Sequence, residues 1–584
     1  MTTGRTVLLI AVAALTAAAR SAHAQDAPAG NAHPAGSMFS TETAPNPLGV
    51  GEPSGMTPQE KHAFARRVDL SPLRSLAVHH NGRVKTLDTL AREVVRAVTG
   101  RGDYLDLVPE TNDAGAVTGV RKLRYDPLFT FIDLLADPVY YTDKPLVHVG
   151  FLPARRALIE ASVSDPEQVE RWMRLTRLSP ALIAAGFAGV ARERGTDPQI
   201  AEALGSLREV GDLLRLGHTT LRLAAPAPGS DRWRHVSELE ADAPARSALT
   251  RLGDAWRAGD AEAATAAARQ AAVALSALNE GAISPTRLRA ETLYNRVQPF
   301  EFGAWAYAVA LVALLFAFGT GWRWAIGLGA GALIVAVSLH AAGFAARWWI
   351  AERLPIQNQF ESMTGLALGA ALAGLAMTVV KRQWLFGAAA SAAGFLILLA
   401  ATQTAIPGQA IGREAAILNT SWLLKYHVST VLVSYGLITL GAVMSAFYLA
   451  VHYLGRGRDG ELAGFAATGL NLDASAPAGR RRLLGDLDRA QMTVLQLAFW
   501  ALGVGILLGA WWADHSWGRW WAFDPKETWA LLTWIVYLIV IHVRLGVAGD
   551  RGLVTAWLSI LGFGVMIWTY FGVNLLLPGL HAYA

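Results

Sequence analysis

The sequence predicts an all-α membrane protein: about eight transmembrane helices preceded by a mostly helical, exported soluble domain. Three observations predict it. Only 17% of the 584 residues are charged and 53% are hydrophobic, whereas a soluble chain carries about 25% charge; mean hydropathy is +0.31. Apolar runs of span length are concentrated after Phe300. The N-terminus has the layout of a secretory signal, with Arg5, a short apolar run from Val7 to Ala19, and the A-x-A site Ala22-His23-Ala24.

The elements follow in order. Residues 1–24 read as the signal peptide, because the apolar run falls short of the ~20 residues a span needs; a first transmembrane helix is the alternative. Residues 25–61, rich in Gly, Pro, Ser and Thr, read as a flexible lead-in. Residues 62–300 have soluble composition. Gln168–Leu178 and Ile200–Leu216 space apolar residues three and four apart, and Ala241–Leu278 has the pattern of a helical hairpin. Residues 301–584 form the membrane domain, with apolar runs at Phe302–Gly319, Trp324–Ala346, Met363–Val380, Leu385–Ala401, Val428–Tyr453, Met492–Trp512, Ala530–Val543 and Leu553–Leu577. Helices are required there, since backbone groups in hydrocarbon must bond within their own segment.

Positive charge orients the spans. Arg323, Lys381, Arg382, Arg456, Arg458, Arg480 to Arg482, Arg489, Arg544 and Arg551 all fall in connections of one parity. Those connections belong in the cytoplasm. The soluble domain then lies outside, as the signal requires. The outer loops are Arg347–Ser362, Thr402–His427 and Ala513–Thr528.

Composition also excludes. The formal charge is only +5 and no long basic tract is present, so nucleic acid is not an expected partner. There is no cysteine, so thiol chemistry belongs to other proteins.

The third outer loop, within residues 511–529, carries the chemistry. Seven of the 20 tryptophans fall between Trp511 and Trp534, interleaved with Asp, Lys and Glu. An aromatic belt at the membrane interface is the plain reading. A platform for a large flat apolar ligand explains the density better: indoles stack on it, and Arg519 or Lys526 pairs with its carboxylates.

The run Trp517-Gly518, Trp520-Trp521, Phe523-Asp524-Pro525-Lys526-Glu527-Thr528-Trp529 resembles the tryptophan-rich WWD signature of haem-handling proteins of cytochrome c biogenesis. The nearest resemblance is to the CcsA (ResC) family, and it covers the chain from about Tyr294 onward. Phe523 stands where that family usually has Trp. The resemblance implies haem b as ligand and substrate, with Trp517, Gly518, Trp520, Trp521, Asp524, Glu527 and Trp529 in its loop. It implies His427 and His581, both on the outer side, as axial ligands of the iron. His542, in the seventh run, matches the family's transmembrane histidine that receives haem. His340, in the second run, is a weaker candidate for that site; a histidine bonded to a neighbouring helix is the alternative. Arg347 and Glu361 match a further family segment and brace either the haem loop and propionates or a purely structural loop contact. In the soluble domain, His80 to Ala91 and Glu291 to Asn295 resemble short segments of longer family members.

The resemblance implies a component of a holocytochrome c synthase. It holds and presents haem, with no catalytic residue beyond that presentation. It works with a CcsB (ResB)-like membrane partner, an apocytochrome c with a C-x-x-C-H motif, and thiol-reducing proteins. The expected location is the bacterial inner membrane, multi-pass, with the soluble domain and haem loop on the periplasmic side. Haem export by the same chain is left open. The alternatives are delivery to a carrier without ligation, and a non-catalytic transporter or assembly scaffold.

Overall fold

The computed structural model describes residues 46–111, 117–215, 217, 220–404, 406, 408–412, 421–454, 480–546, 549–577 and 579. The signal peptide, most of the lead-in and His581 lie outside the described residues. The described residues fall into two units, one within residues 46–296 and the other within residues 297–579.

The soluble unit is mostly helical, but it also contains short strands that periodicity does not register. Ala77–His80 and Arg83–Thr86 form a hairpin whose register pairs Ala77 with Thr86 and His80 with Arg83. Its turn is Asn81-Gly82, both with positive φ of 50° and 70°, the pair of left-handed residues that a tight hairpin demands. Arg222–Ala224 and Arg234–His235 extend this hairpin to a four-stranded antiparallel sheet. Gln168–Leu178 is not one helix: a helix covers Pro166–Met173, and Arg177–Leu178 pairs with Val147–His148. The other two helical expectations hold, as Pro198–Leu214 and as the hairpin Pro244–Arg257 and Ala261–Leu278.

The lead-in ends earlier than composition suggested. Thr57 caps a helix over Pro58–Arg67 with a reciprocal Thr57–Glu60 box, and Leu48 is already buried. Within that helix Lys61 is fully buried, its Nζ donating to Asp133 at 2.8 Å and to Asp137 at 2.8 Å. Trp256 Nε1 and Tyr141 Oη also donate to Asp133, at 2.8 and 2.6 Å. A buried charge set of this kind persists only when each member is bonded. The two family-like segments meet each other. Arg83 pairs with Glu291 at 2.8 Å, Thr89 Oγ1 donates to Glu291 at 2.7 Å, and Asn295 donates to Thr89 at 2.8 Å.

In the second unit, helices α1 to α8 cover Pro299–Thr320, Arg323–Ala351, Gln359–Lys381, Trp384–Gln403, Trp422–Leu454, Arg480–Trp517, Pro525–Gly546 and Arg551–Ile567. Eight helices among the described residues are long and apolar enough to cross a membrane. Helix α1 packs on α2 and α4, α3 on α4 and α5, and α5 on α6 and α8, while α7 packs on both α6 and α8. Small residues let these axes approach, as lipid-embedded packing favours: Gly374 sits against Ala390, and Gly436 against the Leu366 carbonyl.

Polar contacts tie the bundle at both ends. At one end Arg544 pairs with Asp488 at 2.6 Å, Gln383 reaches Asp486 at 2.5 Å, and Tyr448 donates to Asp550 at 2.9 Å. At the opposite end lies the tryptophan loop. It is shorter than expected, because α6 runs on to Trp517 before the chain turns.

Candidate functional site

The loop is built by its two flanking helix ends. Gly518 closes α6, with φ 70° and its N–H donating to the Asp514 carbonyl at 2.8 Å; glycine takes this left-handed position without a Cβ penalty. Asp524 is buried and opens α7: its Oδ2 accepts from Lys526 N at 3.2 Å, ahead of Pro525 in the first turn. Glu527 folds back, its carboxylate accepting from Ala522 N at 2.9 Å and Asp524 N at 3.2 Å. Asp524 and Glu527 therefore shape the loop. Between these caps Phe523 is 78% exposed and has a φ of 58°.

A cleft of about 1400 Å³ of empty space, including its open mouth, lies beside this loop. Trp512, Trp520 and Trp521 form one wall and Ile356 to Gln359 another, with Thr569 and Tyr570 also lining it. Tyr570 Oη and Ser362 Oγ share a hydrogen bond of 2.5 Å. Thr569 and Tyr570 belong to a π-helical turn, Trp568–Gly572, a feature common at functional sites. Trp512 is buried, and its indole Nε1 has no hydrogen-bond partner among the described residues. The lining is mostly apolar, with Lys425 and Lys526 among its polar groups.

His427 enters the cleft from the first turns of α5. Its Nδ1 lies 2.8 Å from the Gly505 carbonyl on α6. A carbonyl only accepts, so Nδ1 carries the proton and the lone pair is on Nε2. That is the tautomer in which an imidazole binds metal through Nε2.

The structure brings together His427, Trp520, Trp521, Lys526 and Glu527 of the expected residues. It places others elsewhere. Trp517 packs edge-on against Trp512 at 4.8 Å between centroids, and Trp529 against Trp568 at 5.8 Å. Arg519 is exposed and does not line the cleft. His542 lies 17 positions beyond Pro525 in α7, about 25 Å along the axis at 1.5 Å per residue. It is exposed there, with Nδ1 2.8 Å from the Leu538 carbonyl. His340 is fully buried, with Nδ1 3.3 Å from Tyr307 Oη and Nε2 2.9 Å from the Thr364 carbonyl. Both ring nitrogens are thus engaged, as in a packed interhelical histidine.

Arg347 and Glu361 are fully buried and pair at 2.9 Å, and Arg353 joins them at 2.6 Å. Arg347 also donates to the carbonyls of Gly408 and Gln409 at 2.6 and 2.9 Å, and Glu361 accepts from Gln357 N at 3.0 Å. This set braces the Ile356–Gln359 lining of the cleft and the segment at residues 408–412. Lys425, the Ile356–Gln359 wall and Tyr570 were missed from sequence, because they carry no local signature and meet only through packing.

Residues 356–581 match the family described as cytochrome C assembly protein. The cytochrome c biogenesis protein CcsA of Synechococcus sp. (strain WH7803) is 35% identical over 269 residues, covering 42% of this chain and 81% of that protein. CcsA of Synechococcus elongatus is 34% identical over 275 residues, 42% of this chain and 83% of the relative. CcsA of Porphyra purpurea is 32% identical over 276 residues, 43% and 85%. With the matched region containing the whole cleft, the chain belongs to the CcsA family of cytochrome c biogenesis proteins.

Proposed function

We propose that this protein binds haem b in the tryptophan-walled cleft and presents it for covalent attachment to apocytochrome c. A role in cytochrome c maturation follows from the family; the haem chemistry is our reading. The observation that carries it is His427, seated through Nδ1 on the Gly505 carbonyl and lining the same cleft as Trp512, Trp520 and Trp521. The residues suit the group. Indole faces match a macrocycle. Lys425 and Lys526 match its two carboxylates, and the buried Trp512 N–H is a donor awaiting an acceptor.

In this reading His427 and His581 are the axial ligands, and the cleft lies on the periplasmic side of the inner membrane. The apocytochrome presents Cys-x-x-Cys-His. Each thiol S–H adds across a haem vinyl C=C, sulfur to one carbon and hydrogen to the other, so no atom is lost. The peptide histidine replaces one axial ligand. The protein contributes orientation and water exclusion, while the reactive vinyls belong to haem. Thiol reduction and a CcsB-like membrane partner come from other chains. His542 belongs to the haem's route to the cleft.

The test is reconstitution of the purified protein with a CcsB-like partner, reduced apocytochrome and haem, followed by denaturing gel electrophoresis and haem staining. Haem covalently on the cytochrome, and its loss with His427→Ala, is expected. Haem passed on without covalent attachment would favour the carrier reading. No haem bound at all would favour the scaffold.

A further inference from the structure

We propose that Gly505 and Gly509 are positioning residues for iron ligation: together they cut a notch in α6 that seats the His427 ring and fixes its tautomer. This rests on the haem reading above.

The geometry appears twice in α6. His427 Nδ1–H donates to the Gly505 carbonyl at 2.8 Å, and four residues on is Gly509, where a β-carbon would stand 2.5 Å from His427 Cε1 and 2.8 Å from Nδ1. Trp534 Nε1–H donates to the Phe499 carbonyl at 3.1 Å, and four residues on is Gly503, where a β-carbon would stand 2.8 Å from Trp534 Nε1. The reason is geometric. Helical Cα–Cβ bonds tilt toward the N-terminus, so residue i+4 covers the carbonyl of residue i. A glycine at i+4 uncovers that carbonyl, whose second lone pair can then accept from a neighbouring helix.

Gly505 adds closeness. A β-carbon on it would stand 2.7 Å from Val431 Cγ2, and Val431 is one turn after His427 on α5. Glycines at i and i+4 let two helices approach at one level. Each weakens the helix relative to alanine, so local propensity does not account for them. What the pair provides is a ring that cannot rotate and an Nδ1–H that cannot leave its carbonyl. A carbonyl on the remote nitrogen orients a metal-binding imidazole and raises its basicity.

The test uses the full-length purified protein. Three readouts are taken: the ¹⁵N spectrum of His427, the affinity for added haem, and the absorption spectrum with midpoint potential. Gly509→Ala should lose the Nδ1–H tautomer, weaken haem binding about 10- to 100-fold, as loss of an outer ligand contact does, and alter the low-spin spectrum. Gly503→Ala, the same change in the same helix facing Trp534, should leave all three unchanged. If Gly509→Ala does not fold, His427→Gly supplies the answer. Added imidazole should restore the low-spin spectrum, and 1-methylimidazole, which has no N–H for Gly505, should restore it with a higher midpoint potential. A folded Gly509→Ala with wild-type readouts, or equal rescue by both imidazoles, would overturn the notch. A wild-type protein that binds no haem would overturn the haem reading instead, and the ¹⁵N tautomer would still decide the notch.

Discussion

Gly579 lies against the side chain of Asp524: a β-carbon on that glycine would stand 2.6 Å from Asp524 Oδ1 and 3.2 Å from Pro525 Cδ. Gly579, two positions before His581 in the sequence, therefore sits at the N-cap of α7. Gly579→Leu should push the tail away and reproduce the haem spectrum of His581→Ala while leaving the His427 contribution. Asp524→Ala should cost about 1 kcal/mol as a lost N-cap, read as a lower melting temperature in detergent. A wild-type spectrum in Gly579→Leu would dissociate the tail from the site.

Phe523 holds a left-handed backbone with φ 58°, a conformation that costs a residue with a β-carbon about 1–2 kcal/mol. Phe523→Gly should raise the melting temperature, and Phe523→Trp should leave it unchanged. Lower stability of the glycine variant would mean that ring contacts outweigh the strain.

Glu361 is the sole carboxylate bonded to both Arg347 and Arg353 among the described ion pairs. Glu361→Gln leaves two guanidinium groups buried against a neutral amide. Breaking a buried pair costs about 3–5 kcal/mol. The expected result is a marked loss of thermal stability with new protease cleavage near residues 408–412. Unchanged melting would show that carbonyl contacts alone hold that segment.

His80 gives the soluble unit a pH dependence. Burial, with the nearby Lys85 and His79 charges, pushes its imidazole down to about 4, and its Nδ1 is buried with no hydrogen-bond partner among the described residues. An unfolded histidine titrates near about 6.5. Between those values the unfolded chain binds more protons, so stability is full above about 6.5 and falls as pH drops toward about 4. Thermal unfolding at pH 7.5 and pH 5 should show His80→Gln losing less than the wild type. Equal losses would place the acid sensitivity elsewhere.

The eight spans were legible because length and hydropathy are nearly sufficient to specify a helix in lipid. Their ends were less so. Helix α6 continues through Ala513-Asp514-His515-Ser516-Trp517, which hydropathy counts as loop, because nothing there breaks a helix before Gly518. Strands of two to four residues, such as Arg177–Leu178, are too short to display a period. Asp524 and Glu527 were legible as a family signature, yet both carboxylates serve to cap the start of α7, Asp524 accepting from Lys526 N and Glu527 from Asp524 N. The Gly505–Gly509 notch was not legible, since it exists only once α5 lies against α6.

The most direct measurement is the absorption spectrum of the purified wild-type protein beside His427→Ala and His581→Ala. Haem should co-purify with a bis-histidine, low-spin spectrum that is lost or altered in both variants. A colourless but folded wild-type protein, or a haem spectrum indifferent to His427→Ala, would contradict it.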